Sequence, residues 1–447
     1  MRPGRVAKAA GVAIGLGYAA SLASITVRRR QRAGARVVAF AGGGAGGHVV
    51  PAIAIAEELR LCGVESVFLG EAQDPEQRLV PAHGFPLVRV GSVVLKRPLR
   101  KPENLPRLIR FAGCVLQAAW ELVRWAPDVV VGTGGATSVT GCVAALALGL
   151  PLLLYEANAL PDEANRTLHR FARRTLLAHA SAVDGLRYPE RCDLVGPVVR
   201  QEFLEDLLRG GPGTSGPRPG RQPRRESTQQ QERRRQRRRL ATRRELGLPR
   251  GGRDGTLLLV LGGSSGSGYI NQATNNALPK LAAVPGLHVL WHTGARQHSA
   301  FTGGYAGSLS NVRLVPGLTH FGAALEAADL VLGRSGAATV AELAVAGTPA
   351  LLVPSPAVSE QQQTANAKVL EDRGQAVVVP QVDVDEGGIA EPLLPLLEGT
   401  EGAARLVAMR AAGRAAAGGP AAGAEAARQA LAKAREAILE TGRRKGR

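Results

Sequence analysis

Val37-Val38-Ala39-Phe40, then Gly42-Gly43-Gly44-Ala45-Gly46-Gly47-His48 and Pro51, then Ala52-Ile53-Ala54-Ile55-Ala56-Glu57-Glu58-Leu59 read as strand, glycine-rich turn and helix. Five glycines in six positions let backbone N–H groups converge on one point without Cβ obstruction, and the helix that follows brings its positive dipole end there. Such a turn suits a phosphate, a diphosphate or a sugar hydroxyl. A dinucleotide-binding turn has the same glycine economy, but nothing in that fingerprint asks for a histidine at the helix start. An imidazole in that place is a candidate base for a hydroxyl proton near neutral pH.

Outward from this stretch the pattern repeats. Apolar runs at Val37–Phe40, Val67–Leu69, Val129–Val131 and Leu152–Tyr155 alternate with helical stretches such as Leu105–Trp125 and Ser138–Leu148, predicting a parallel, doubly wound sheet. A second series opens with Thr256–Leu261 and the turn Gly262-Gly263-Ser264-Ser265-Gly266-Ser267-Gly268. Further strands fit His288–His292, Val312–Val315, Leu330–Leu332, Ala350–Val353 and Ala376–Val379. The expected class is α/β, with two Rossmann-like domains whose strand ends face a central cleft. Five segments follow: a leader over 1–35, a first domain over 36–200, a disordered Arg/Gly/Pro-rich insertion over 201–245, a second domain over 246–402 and an Ala-rich helical tail over 403–447 with a basic end.

Charge narrows the partners. The net +19 falls entirely in residues 1–36 and 209–244, which carry +8 and +11, so the rest of the chain is neutral. No basic groove is built into the predicted domains, and nucleic acid is not expected as a partner. The stretch Ala9–Val27 lacks charge and is flanked by Arg2, Arg5, Lys8 and Arg28-Arg29-Arg30. Transit peptide and membrane anchor are equal readings of it, with a cleaved secretory signal behind them. The four cysteines, Cys62, Cys114, Cys142 and Cys192, lie far apart without zinc-ligand spacing and read as reduced thiols.

The second half also carries Gly333-Arg334-Ser335-Gly336-Ala337-Ala338-Thr339-Val340-Ala341-Glu342 directly after a strand. Free amides at that helix start suit a diphosphate, and Glu342 one to two turns on suits vicinal ribose hydroxyls; an ordinary capped helix with a surface glutamate fits the spacing equally well.

Taken together, Gly42–Pro51, Val131-Gly132-Thr133-Gly134-Gly135, Tyr155-Glu156-Ala157-Asn158 with Asn165-Arg166, Arg334–Glu342 and Gln362-Gln363-Thr364-Ala365-Asn366-Ala367 form an ordered series. With it, Val37 to about Val379 resembles the bacterial peptidoglycan N-acetylglucosaminyltransferases that convert lipid I to lipid II, two-domain GT-B enzymes. The resemblance implies UDP-N-acetylglucosamine as donor and a polyprenyl-diphosphate-linked muramoyl peptide as acceptor. It assigns acceptor-diphosphate contacts to Gly44, Ala45, Gly46, Gly47, Gly134 and Gly135, and the acceptor-side base to His48. It assigns donor contacts to Asn158, Arg200, Ser264, Leu318, Ala337, Ala338, Thr339, Val340, Ala341, Glu342 and Gln363. No Asp-x-Asp motif falls in a fitting position, so neither metal nor cofactor is expected, and Arg200 with a helix N-terminus takes up the charge of departing UDP. Direct displacement then inverts the anomeric centre.

The sequence departs from the family's usual writing at Tyr155 (His), Ala157 (Gln), Pro197-Val198-Val199-Arg200 (Asn-Pro-Val-Arg), and Ser265 and Gly268 (Gln and Arg). The leader and the Arg-rich insertion are foreign to ordinary bacterial versions and point to a plastid or other organellar descendant; otherwise the place expected is the cytoplasmic face of the inner membrane, with peripheral contact through the basic segments. Two other readings stand beside this one: a transferase of the same fold acting on a plastid glycolipid or another lipid-linked acceptor, and a non-catalytic relic that binds lipid or nucleic acid. Retention of His48, Arg200, Glu342 and Gln363 together argues against the relic.

Overall fold

The computed structural model describes residues 19–29, 31–32, 36–44, 46–71, 76–94, 102–208, 228–247, 255–262, 267–356, 361–418 and 420–443. The chain forms two compact units, residues 1–198 with 429–447 and residues 199–428.

In the first unit seven strands form one parallel sheet: β1 (Val37–Gly42), β2 (Glu65–Gly70), β3 (Leu87–Arg89), β4 (Val129–Gly134), β5 (Leu152–Glu156), β6 (Arg174–Leu177) and β7 (Cys192–Leu194). Their order is β3-β2-β1-β4-β5-β6-β7. The middle strands are continuous apolar runs because helices cover both faces of the sheet, so alternation would serve no purpose. β1 is buried from Val37 to Ala41 and β5 throughout. Sequence reading passed over β3, β6 and β7; β3 and β7 are three-residue edge strands that stay partly exposed, too short and too mixed in polarity to give an apolar run.

Six strands build the sheet of the second unit: β8 (Thr256–Leu261), β9 (Leu287–His292), β10 (Val312–Val315), β11 (Leu330–Gly333), β12 (Ala350–Leu352) and β13 (Ala376–Val378). All six match expected runs to within a residue. The order β10-β9-β8-β11-β12-β13 is again parallel and again reverses beside its first strand. Two apolar clusters, one on each face, close over it.

Three segments outside the two sheets also carry structure. Within the leader, residues 19–29 form a helix whose Ile25 is 2% exposed in the first unit's core, while residues 1–18 lie outside the described residues. Arg28 and Arg29 donate to the carbonyls of Arg124 and Ala126 at 3.3 Å, at the C-terminal end of the helix Asn104–Trp125, and Arg29 also pairs with Asp128 at 3.3 Å. Cations at a helix C-terminus satisfy its last carbonyls and its dipole, which is what this arginine cluster does. Among the described residues no helix is long and apolar enough to cross a membrane.

The segment read as a disordered insertion carries helices over Gln201–Leu208 and Thr228–Glu245, and residues 209–227 lie outside the described residues. Arginine and glutamine are good helix formers, and the second helix is fixed by polar contacts that a search for apolar periodicity does not register. Arg243 donates to Asp329 at 2.5 Å, to the Ala327 carbonyl at 3.0 Å and to the Gly255 carbonyl at 3.1 Å, and Arg239 also pairs with Asp329. The tail is helical as read, over Gly399–Ala417 and Pro420–Arg443, but it is not separate: Ala424 and Ala427 join the second unit's core, and Gln429 onward belongs to the first unit, where Leu431 and Ile438 are buried.

Burial would raise the Asp329 carboxyl, but Arg239 and Arg243 outweigh it and hold it below the ordinary carboxylate range. Asp329→Asn leaves Arg243 buried without its counter-charge and should cost about 3 kcal/mol or more in urea unfolding of the whole chain. A loss under about 1 kcal/mol, the value of a surface pair, would show that the helix is not anchored there.

Candidate functional site

The first site gathers where β1 and β4 lie side by side, because the chain leaves these two neighbours in opposite directions and opens a crevice at their carboxyl ends. After β1 the turn enters the helix Gly46–Leu61, whose third residue is His48. After β4, Gly134 and Gly135 take φ of +102° and +82°, conformations that favour glycine. A Cβ on Gly135 would lie 2.4 Å from the Gly43 carbonyl and 3.0 Å from His48 Nδ1, and one on Gly134 would lie 3.1 Å from His48 Nε2. Both glycines are therefore needed to let the imidazole lie against the backbone.

His48 has a largely buried side chain, its Nδ1 3.2 Å from the Gly43 carbonyl oxygen and its Nε2 3.7 Å from Asp162 Oδ2. Sequence reading did not single out Asp162, although a Pro161-Asp162-Glu163 start is the composition of a helix N-cap. It caps the helix Glu163–Leu168 by accepting the Asn165 N–H at 2.9 Å, and it accepts the Gly135 N–H at 2.9 Å. Glu76 was missed as well. It is 2% exposed, accepts the Gly44 N–H, and burial pushes its carboxyl up from the ordinary value. Carboxylates thus already occupy the amides of Gly44 and Gly135, leaving the first-turn amides of the helix that Gly46 and Gly47 open as the free donors of this cradle. Ala45 lies outside the described residues.

Behind the cradle sits Glu156, 1% exposed. Its Oε1 accepts from the Asn158 N–H at 2.8 Å and from Asn158 Nδ2 at 2.9 Å; its Oε2 accepts from the Asp162 N–H at 2.8 Å and Asn165 Nδ2 at 2.9 Å. Burial, and then the neighbouring Asp162, push this carboxyl up. Asn158, expected to meet the donor, turns its amide inward to Glu156. Tyr155 is 1% exposed and its hydroxyl accepts the Val198 N–H at 3.2 Å, so this departure from the family's usual residue fills core instead of lining the crevice.

The second site lies at the corresponding place in the other sheet, beside β8 and β11. Gly336 is the N-cap of the helix Ala337–Ala346, and no side chain caps it, which leaves the first-turn amides of Ala337, Ala338 and Thr339 available. Val340 and Ala341 are buried, as is Glu342. Burial pushes the Glu342 carboxyl up to about 7, with Arg200 Nη2 at 3.8 Å drawing it part of the way back. Arg200 and Glu342, which sequence reading placed 142 residues apart on one ligand, are thus brought together. Gln363 accepts the Ser355 N–H at 2.9 Å through its side-chain oxygen, and Leu318 is half-buried in the loop after β10. Arg334 serves the fold: it donates to the Val353 and Pro354 carbonyls and stacks 4.6 Å over Tyr269. Ser264 lies outside the described residues. Among the described residues no group of His, Cys, Asp and Glu is arranged to hold a metal ion.

Comparison with known proteins gives this geometry a family. Residues 38–177 match the glycosyltransferase family 28 N-terminal domain and residues 257–417 its C-terminal domain. A UDP-N-acetylglucosamine--N-acetylmuramyl-(pentapeptide) pyrophosphoryl-undecaprenol N-acetylglucosamine transferase of Salinibacter ruber is 37% identical over 372 residues, covering 83% of this chain and 90% of its own. One of the same description from Desulforudis audaxviator is 34% identical over 387 residues, covering 85% and 93%. Among solved structures, MurG of Acinetobacter baumannii superposes with a TM-score of 0.60 at 24% identity over 91% of this chain and 99% of that one. The glycotransferase of kitacinnamycin does so at 0.56 and 16% identity over 90% and 99%, and these two show the shared GT-B fold. With both domain matches in register with both glycine-turn sites, the chain belongs to glycosyltransferase family 28, among its peptidoglycan N-acetylglucosaminyltransferases.

Proposed function

We infer that this enzyme transfers N-acetylglucosamine from UDP-N-acetylglucosamine to the lipid-linked muramoyl peptide called lipid I, forming lipid II for peptidoglycan. The observation that carries the reading is the His48 imidazole held at a helix start between the glycine turns of β1 and β4, in a chain whose relatives carry that activity in their names. The acceptor hydroxyl gives its proton to His48 as its oxygen attacks the anomeric carbon, and the bond to UDP breaks with its electron pair leaving on the diphosphate. Arg200 and the first-turn amides of Ala337–Thr339 stabilise that charge. Gly46 and Gly47 face the acceptor diphosphate, and Glu342 accepts from the ribose hydroxyls.

In a transfer assay with radiolabelled donor and a lipid I analogue, His48→Ala should lower kcat by about 100-fold or more, the usual worth of a general base, with donor Kd unchanged. No transfer by the wild type would reject this acceptor. Glu342 accepts two hydroxyl bonds best as a carboxylate, and its carboxyl stands at about 7. Donor binding should therefore weaken as pH falls through 7, approaching tenfold per pH unit below it, while Glu342→Gln binds weakly and without this dependence. A donor Kd constant from pH 6 to 8 would contradict the ribose role.

The acceptor resides in a membrane, and we infer peripheral attachment through the helix Asn104–Trp125 of the first unit. One side of this helix is buried through Cys114, Ala118 and Leu122. Another leaves Leu105, Leu108, Ile109, Leu116 and Trp120 exposed, at 44–71%. At 100° per residue these five fall within an arc of about 120°, a second apolar stripe suited to the headgroup boundary. Ile109→Glu with Trp120→Glu should lose about tenfold or more in sedimentation with anionic vesicles while keeping donor binding. Wild-type attachment that vanishes wholly in high salt would mean that the basic segments alone hold it.

A further inference from the structure

Two carboxylates beside His48, those of Asp162 and Glu76, have no assigned role toward donor or acceptor. The Gly43 carbonyl accepts only, so Nδ1 at 3.2 Å carries a proton and donates it, which makes Nε2 the lone-pair nitrogen of the neutral ring. Nε2 faces Asp162 Oδ2 at 3.7 Å, both side chains being more than four-fifths buried. The other carboxylate electrostatically coupled to this imidazole is Glu76, from the helix Glu76–Ala82, whose Oε1 is engaged by the Gly44 amide.

Asp162 is fixed in place at three points. Its own N–H donates to Glu156 Oε2, its Oδ1 accepts from Asn165 and its Oδ2 accepts from Gly135. The absence of a side chain at Gly134 keeps the way between the two groups open, since a Cβ there would lie 3.1 Å from both Asp162 Oδ2 and His48 Nε2. A helix cap alone needs one oxygen; the second is spent on the loop that seats the imidazole and on facing its basic nitrogen.

We propose that Asp162 is a positioning residue for His48, stabilising the imidazolium that forms when Nε2 takes the acceptor hydroxyl proton. This rests on the reading of His48 as the base. The hydroxyl O–H bond breaks and an Nε2–H bond forms beside Asp162 Oδ2; the acceptor oxygen bonds to the anomeric carbon, UDP leaves with the electron pair, and Nε2 later returns its proton to solvent. Gly43 holds the tautomer throughout.

The test is a double-mutant cycle on the full chain with Asp162→Asn and His48→Ala, with donor Kd as the control for folding. Asp162→Asn should lower kcat about 10- to 100-fold with KM for both substrates within about twofold, and should move the acid limb of kcat, measured at saturating donor and acceptor, to lower pH. In the His48→Ala background it should have no further effect on kcat. Asp162→Ser, which keeps a capping oxygen without the charge, should reproduce the loss, and it serves in place of the asparagine variant if that one does not fold. Equal fold-losses in both backgrounds, or an unmoved acid limb, would overturn the pairing. A His48→Ala enzyme with full kcat would overturn the base reading itself, a result separable from the first because it needs no Asp162 variant.

Discussion

Everything at the two sites depends on the parallel pairing of a sheet's first strand with neighbours on both sides. β1 lies between β2 and β4, and β8 lies between β9 and β11. Crossovers leave such a strand and its later neighbour toward opposite faces, so their carboxyl ends cannot both be covered by the same connection. The crevice that results is lined by turns whose backbone amides and helix dipoles have no partner within the sheet. Glycine is required there for two separate reasons, positive φ and the exclusion of Cβ, and Gly134 and Gly135 meet both.

A cradle of unpaired amides attracts anions, and in the first unit the chain supplies two of its own. Glu76 and Asp162 take the amides of Gly44 and Gly135, and Glu156 behind them is satisfied by four N–H donors. Buried carboxylates are costly unless hydrogen-bonded, so the bonds of Glu156 and Asp162 specify one arrangement of the loop and with it one place for the His48 ring. In the second unit no side chain caps the corresponding helix start, and Glu342 within that helix pairs with Arg200. The same backbone device is thus filled by the chain's own carboxylates in one unit and left without a side-chain cap in the other.

Much of this was legible in the sequence because central parallel strands are unbroken apolar runs. The second sheet could be read strand by strand from Thr256–Leu261 to Ala376–Val379 for that reason. Glycine turns directly after such runs placed His48, Gly134, Gly135 and the Ala337–Glu342 stretch at strand ends, where the structure has them. What was not legible was held by polar contacts between distant segments. Asp162 and Glu76 meet His48 and Gly44 across 114 and 32 residues, a proximity that no local pattern encodes. The helix Thr228–Glu245 looks like a solvated arginine run until Asp329 is brought against it, and no local pattern shows that Glu156 accepts from the Asn158 amide.

We propose that ligands are gripped where each sheet reverses, by helix-start amides and the side chains beside them. The most direct measurement is a crystal structure of the full chain with UDP. The diphosphate should lie on the amides of Ala337–Thr339 and on Arg200, with the ribose hydroxyls on Glu342. Density for UDP instead in the groove of about 290 Å³ lined by Tyr269, Asn276, Lys280 and Asp385 would contradict it.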